Sequence, residues 1–318
     1  MFRYSSKGAN KLSILISRVG LLPGLIFALC IYYSIGQPRF ATISNLIIVL
    51  RQMSFLLILG CAQMLPVLTT GVDLSVGSII GIVSVFSAIF SLKYGVVVGS
   101  TIAIAVSVII GFANGIAIGY IGVAPFAVTL GMLSIVHGLA LIITSGQTIY
   151  GMPTEYMVLG AGYIWKIPIP VIISICLTAC TWILLYTTRF GRHMYAVGGD
   201  PEAARLSGID VRKYLMYAYV YCALFSGISG VLLSSRVNSG TPNLGQAGMM
   251  LESIAVVVIG GVTFSGGKGH LFGVILGVIL IAILSNGFDL TGVSSFVKMV
   301  VTGSIICLAI IVDKYRKR

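Results

Sequence analysis

Gly95-Val96-Val97-Val98-Gly99-Ser100-Thr101-Ile102-Ala103-Ile104-Ala105-Val106-Ser107-Val108-Ile109-Ile110-Gly111-Phe112-Ala113-Asn114-Gly115-Ile116-Ala117-Ile118-Gly119-Tyr120 contains no Asp, Glu, Lys, Arg or His. A helix rises about 1.5 Å per residue, so this run reaches about 39 Å. About 20 apolar residues already cross a bilayer core. The stretch reads as a membrane span. Its glycines fit that reading, because small residues let spans approach closely. In a soluble helix each would cost about 1 kcal/mol against Ala.

The same reading extends outward. Further apolar runs fall at 19–36, 44–70, 74–92, 124–145, 167–187, 214–235, 250–264, 270–287 and 295–312. The 318 residues are 58% hydrophobic and only 9% charged, with mean hydropathy +1.07. A soluble domain carries about 25% charged residues. The composition therefore predicts an all-α, polytopic membrane helix bundle of about ten spans, with no room for a sizeable soluble domain. The run at 250–264 is short for a span, and the one at 44–70 is long and holds Pro66. Either suits a broken or partly re-entrant helix, which needs protein or water around its open backbone.

Charge sets the expected orientation. The net charge of +12 is concentrated in three places, which argues for membrane topology and against nucleic acid as a partner. Arg3, Lys7, Lys11 and Arg18 precede the first run. Arg189, Arg192, Arg205, Arg212 and Lys213 share the loop 188–213. Lys314, Arg316, Lys317 and Arg318 end the chain. Basic loops mark the cytoplasmic side. The expected organisation is a cytoplasmic basic N-terminus (1–18), one transmembrane domain (19–313) and a cytoplasmic basic tail (314–318). The apolar run after the N-terminal basic stretch lacks a small-residue cleavage site, so a span is expected there rather than a cleaved signal.

A faint repeat runs through the chain. Gly71-Val72-Asp73-Leu74-Ser75-Val76-Gly77 echoes Gly261-Val262-Thr263-Phe264-Ser265-Gly266-Gly267. Asn114-Gly115 echoes Asn286-Gly287, and Gly122-Val123 with Phe126 echoes Gly292-Val293 with Phe296. Many transporter folds are built from two such halves. The pattern leaves open whether the halves are parallel or inverted.

The loop 188–213 contains a short helix signature. Asp200 is a good N-cap, Pro201 suits the first helical position, and Glu202 faces the positive end of the dipole. Ala203, Ala204, Arg205 and Leu206 favour helix, and Gly208 can end it in the left-handed region. A free helix of two turns is not stable in water. It must pack on its own bundle or on a cytoplasmic partner.

Glu202-Ala203-Ala204, three residues, then Gly208 resembles the first half of the cytoplasmic coupling loop of ABC importer permeases. The second half of that pattern, an apolar residue then Leu-Pro, is absent, as expected of the ribose-type branch. Leu68-Thr69-Thr70-Gly71-Val72-Asp73-Leu74-Ser75-Val76-Gly77-Ser78 resembles that branch's first signature. Val197 through Ile209 resembles its coupling loop. Ala255 through Gly261, with Ser265-Gly266-Gly267-Lys268-Gly269, resembles its last signature. The likeness spans about residues 44–313. It implies the type II permease fold of the cobalamin importer. It also implies alternating access, a pentose, hexose or sugar-like solute, and a place in the bacterial inner membrane. The partners it implies are a cytoplasmic ABC ATPase, a periplasmic or lipid-anchored solute-binding protein, and a second permease copy or sister subunit. Gly199, Asp200, Pro201, Glu202, Ala203, Ala204, Arg205 and Gly208 would then meet the ATPase. ATP and Mg would be used by that partner, and no cofactor is expected on this chain.

Competing readings are weaker. Gly266-Gly267-Lys268-Gly269 lacks the upstream Gly and downstream Ser or Thr of a phosphate loop. Gly227-Ile228-Ser229-Gly230 would need a His within reach to act as a protease nucleophile, and the chain has only His137, His193 and His270. Cys176 and Cys180 stand one turn apart with no His or acid nearby, so no metal site is expected. An ion-coupled secondary carrier is the remaining alternative, yet all eight acids map to loops or span ends.

Polar residues in or beside spans are candidates for a translocation pathway or gate. These are Asp73, Ser75, Asn114, Phe126, Thr129 and Asn286. Asp73 with Ser75 can equally cap the next helix, and Asn114, Thr129, His137 and Asn286 can equally bond between helices. Arg51 is expected to snorkel toward the outer interface. Glu252 opens a short span, as a cap or at the mouth of the path.

Overall fold

The computed structural model describes residues 21–246 and 248–315. The basic segment 1–18 and residues 316–318 lie outside the described residues. In chain order the elements are α1 (Leu21–Gly36), α2 (Ile43–Leu68), α3 (Val76–Tyr94), α4 (Val96–Gly119), α5 (Pro125–Thr144) and α6 (Thr154–Ala161). A hairpin of β1 (Tyr163–Ile164) and β2 (Ile167–Pro168) follows. Then come α7 (Ile169–Tyr186), α8 (Arg189–Gly199), α9 (Pro201–Leu206), α10 (Val211–Val237), α11 (Gly248–Ile259), α12 (Leu271–Leu290) and α13 (Ser295–Tyr315). By length and apolar composition, α2, α3, α4, α5, α7, α10 and α12 can each cross a membrane. Shorter apolar stretches lie in α1, α11 and α13.

Each of the ten apolar runs contains a helix, with two adjustments. The long run at 44–70 is one continuous helix that carries Pro66 in its final turn. The run at 250–264 becomes a helix of only 12 residues. Twelve residues rise about 18 Å, well short of a bilayer core of about 30 Å. The turn beyond it alternates between buried residues (Val262, Gly266, Gly269) and exposed ones (Ser265, Lys268, His270).

Close packing explains the glycines on the inner face of α4. A Cβ on Gly111 would stand 2.6 Å from the Ala223 Cβ, and one on Gly119 would stand 2.4 Å from the Arg212 carbonyl oxygen. These two and Gly115 form one stripe of α4 that admits α10 backbone to backbone. The contacts also give direction, since α4 residues rise as α10 residues fall. Asn45 meets Asn286, while Gly60 meets Val274, so α2 and α12 are antiparallel. Arg236 covers Phe55, while Gln63 meets Cys222, so α2 and α10 are antiparallel too. It follows that α4 and α12 run in opposite directions. The two echoed Asn-Gly pairs, and the turns at Gly122 and Gly292 after them, sit at opposite ends of the bundle. The Gly71–Gly77 and Gly261–Gly267 blocks instead meet at one end, where Gly266 stands against Thr70 and Gly267 N donates to the Leu68 carbonyl, so the three echoes do not follow one repeat axis.

Between the apolar runs that end at 145 and begin at 167, the sequence offers no further run. The structure puts α6 there, held by the buried Tyr156, whose hydroxyl is 2.7 Å from Ser87 Oγ. Gly160 N donates to Ser235 Oγ at 2.7 Å, which ties α6 to α10. Residues 238–244 then fold back along α3, where Thr241 N donates to Ser84 Oγ at 2.9 Å.

Candidate coupling surface and buried polar centre

The short helix read from the sequence is present as α9. Asp200 Oδ1 accepts from Glu202 N and Ala203 N, both at 3.0 Å. Pro201 fills the first position, and Gly208 closes the turn at φ +80°, a backbone region that favours Gly. Arg205 grips Glu202 with Nε at 3.0 Å and Nη2 at 2.6 Å. These hydrogen bonds hold the Glu202 carboxyl below its usual range and push the Arg205 guanidinium up. Ala204 is the only buried residue of α9. Leu206 is 75% exposed. A six-residue helix with one buried methyl has little of its own bundle to lean on.

The helix in front of it is its opposite. In α8, Gly191, Met194, Val197 and Gly198 are buried. His193 Nδ1 lies 2.7 Å from Tyr214 OH on α10, and Tyr195 OH donates to the Gly269 carbonyl at 2.8 Å. Burial pushes the Tyr195 phenol well above its ordinary value. Gly198 sits so close to the end of α2 that a Cβ would stand 1.8 Å from the Leu68 carbonyl oxygen. That carbonyl accepts from Gly267 N at 2.9 Å. A Cβ on Gly267 would in turn stand 2.4 Å from Gly199 Cα. So the Gly198-Gly199 corner, the end of α2 and the Gly266-Gly267 turn form one backbone-to-backbone joint.

From this joint the chain turns back into the bundle. Thr70 takes φ +66°, costly for a β-branched residue and tolerated only where the surroundings over-determine it. Gly71 follows, against Tyr219 and Pro125. Asp73 is fully buried. Its backbone carbonyl accepts from Gln63 Nε2 at 3.1 Å. Its Oδ1 accepts from Ser75 N at 2.9 Å and from Ser75 Oγ at 2.5 Å, which settles the start of α3. Asn114 Nδ2 on α4 donates to Ser75 Oγ at 3.0 Å, and Thr129 Oγ1 on α5 donates to the Val72 carbonyl at 3.2 Å. Three buried polar atoms here make no hydrogen bond among the described residues, namely Asp73 Oδ2, Asn114 Oδ1 and Tyr219 OH.

The structure thus brings Asp73, Ser75, Asn114 and Thr129 into one centre. Asn286 lies elsewhere, exchanging two hydrogen bonds of 2.9 Å with Asn45 at the far end of the bundle. Phe126 is 63% exposed, on the outer side of α5. Gln63, Cys222 and Tyr219 complete the centre and were not singled out from sequence. All three stand in long apolar runs, where one polar atom is easily read as packing. The α8 helix was also not read, although Gly191, Met194 and Gly198 at helical spacing signal one buried face.

The family described as "Branched-chain amino acid transport system / permease component" matches residues 45–310. The chain belongs to that family. It is a permease, a multi-pass protein of the bacterial inner membrane. It is 36% identical over 309 residues to the ribose import permease protein RbsC of Bacillus subtilis, covering 94% of this chain and 93% of that one. It is 35% identical to RbsC of Escherichia coli K12, covering 88% and 89%. It is 30% identical to the D-allose transport system permease protein AlsC of Escherichia coli, covering 91% and 89%. No solved structure gives a significant match.

Proposed function

We propose that this permease carries a sugar or sugar-like solute into the cytoplasm as the membrane subunit of an ATP-driven importer, working by alternating access. The names of its relatives, ribose, allose and galactose permeases, support the solute class. Ten embedded segments of the type II arrangement, with both termini cytoplasmic, fit the ten helix-bearing runs and the basic loop at α8 and α9. A tandem ATPase, a solute-binding protein and a second permease copy or sister subunit complete the assembly.

The observation that carries the mechanism is the contrast between α9, exposed on nearly every side, and α8, seated on the end of α2. In the proposed cycle the ATPase receives α9 in a groove. Closure on ATP moves α9, and α8 passes the motion to Leu68 and Gly267 through contacts with no side chain to absorb it. The turn at Thr70 then shifts Asp73 and its partners on α3, α4 and α5. The unpartnered atoms of that centre give a passing hydroxylated solute something to bond. ATP and Mg act on the partner, and this chain contributes only the docking surface.

The test is made on the complete importer in proteoliposomes. Glu202→Ala and Gly208→Val leave the permease in the membrane, leave ATP hydrolysis running, and lower solute uptake at least about tenfold, or about 1.4 kcal/mol of lost coupling. Unimpaired uptake in both variants would falsify the coupling role. Purification from native membranes should also bring down an ATP-hydrolysing subunit.

A further inference from the structure

At the end of the bundle opposite α8 and α9, two arginines share a partly buried cleft. Arg51 is the ninth residue of α2, and Arg236 is the last but one of α10. The cleft holds about 220 Å³ and is lined by these two with Ser44, Ile47, Ile48 and Tyr163. The Arg51 guanidinium lies 4.9 Å from the centre of the Tyr163 ring, and its Nη2 donates to the Ala161 carbonyl at 3.5 Å. Its Nε is buried with no partner among the described residues. Arg236 lies 5.4 Å over the Phe55 ring. The ion pairs among the described residues are Glu202–Arg205 and Asp289–Lys298, so neither of these arginines has a carboxylate.

Two guanidiniums in one half-buried cleft repel each other more strongly than they would in water. Aromatic faces offset only part of that cost. Each guanidinium has five N–H donors, and most here are unspent. An anion with several oxygens satisfies them, and phosphate matches the planar fork in bidentate fashion. The walls decide which phosphate. Ile47 and Ile48 belong to a helix of membrane-crossing length, and Ile48 is 51% exposed. Beside the cleft, the hairpin presents Ile164 at 52% and Trp165 at 97% exposure, a residue type that collects at the membrane–water interface. A free ion would leave this apolar wall bare. A phospholipid covers both, with its phosphate on the arginines and its chains along α2. We propose that the Arg51–Arg236 cleft binds the headgroup phosphate of an anionic phospholipid.

The test compares thermal unfolding of the purified complete importer in mild detergent with added phosphatidylglycerol, phosphatidylcholine or inorganic phosphate. Phosphatidylglycerol should raise the midpoint of the native protein by several degrees more than phosphatidylcholine, and inorganic phosphate should not. The Arg51→Gln/Arg236→Gln double variant should lose that extra gain and carry less co-purified phosphatidylglycerol by mass spectrometry. The Arg51→Lys/Arg236→Lys variant should recover part of both, which separates a lost site from a damaged fold. An equal gain from inorganic phosphate would assign the cleft to a free anion and overturn the lipid. Equal gains from both lipids, or a phosphatidylglycerol gain that survives in the Gln variant, would overturn the site. Loss of binding-protein-stimulated ATP hydrolysis with the lipid gain intact would assign the arginines to a protein carboxylate instead.

Discussion

The helices α8 and α9 are joined at Asp200 and are built on opposite terms. In α8 one face is buried on α2, α10 and the Gly266-Gly267 turn, with two glycines setting backbone against backbone. In α9 only Ala204 is buried, and local devices hold the helix, namely an Asp cap, a Pro start, an i,i+3 ion pair and a Gly stop. A part that transmits force should be rigid where it meets its own bundle and open where it meets a partner. The largest expected effect therefore falls in α8. Gly198→Val places atoms where the Leu68 carbonyl already stands, so the joint must open. Uptake should fall to background while Leu206→Ala, on the exposed helix, lowers uptake without opening the joint. Near-normal uptake in Gly198→Val would show that the joint is not the route of coupling.

A second comparison sets the joint against the polar centre it supports. Asp73 has two separable oxygens. Oδ1 holds the start of α3, and Oδ2 is unpartnered. Asp73→Ala leaves buried donors on Ser75 unmet, at a cost of about 1–3 kcal/mol, and should lower both the unfolding midpoint and the yield. Asp73→Asn keeps an acceptor for Ser75. If the centre touches solute, Asp73→Asn keeps the native midpoint and loses uptake. Native uptake in that variant would reduce Asp73 to a support for the turn at Ser75.

Much of this was legible in the sequence, for physical reasons. Lipid demands long uninterrupted apolar helices, so the ten runs announced themselves. The cap and start of α9 were legible because Asp200 and Pro201 act over three residues of chain. The centre was half legible. Asp73, Ser75, Asn114 and Thr129 stand out as polar residues near apolar runs, but their convergence depends on how α2 turns back at Thr70, which involves four separate helices. Asn286 looked equivalent to Asn114, and its partner Asn45 lies 241 positions away. The half-length of α11 was hidden too, because an apolar run does not show where its backbone leaves the helix.

A smaller effect tests how α9 is held. Asp200→Ala removes the acceptor for two N–H groups and should cost the helix about 1 kcal/mol. The number of ATP hydrolysed per solute moved should rise, and Asp200→Ser should restore it, because Ser caps as well as Asp. Equal ratios in all three proteins would mean that the ATPase groove, rather than the cap, folds α9.

The smallest effect concerns the Glu202–Arg205 pair, and its sign follows from the lowered Glu202 carboxyl. A carboxyl depressed in the folded state stabilises above its ordinary value and loses that contribution only as pH falls through the lowered one. The pair should therefore stay ionised across the range in which the importer can be assayed, from about pH 8 to about pH 5. The solute-to-ATP ratio should be flat over that range in the native protein. It should be flat and only slightly lower in Glu202→Gln, which, unlike Ala, keeps a side chain of the same length with an acceptor for Arg205, and loses only an ion pair that water screens because both side chains are exposed. A ratio that falls toward pH 5 in the native protein but not in Glu202→Gln would mean that Glu202 meets another acid when docked. The exposed face of α9 would then have to be redrawn around that contact.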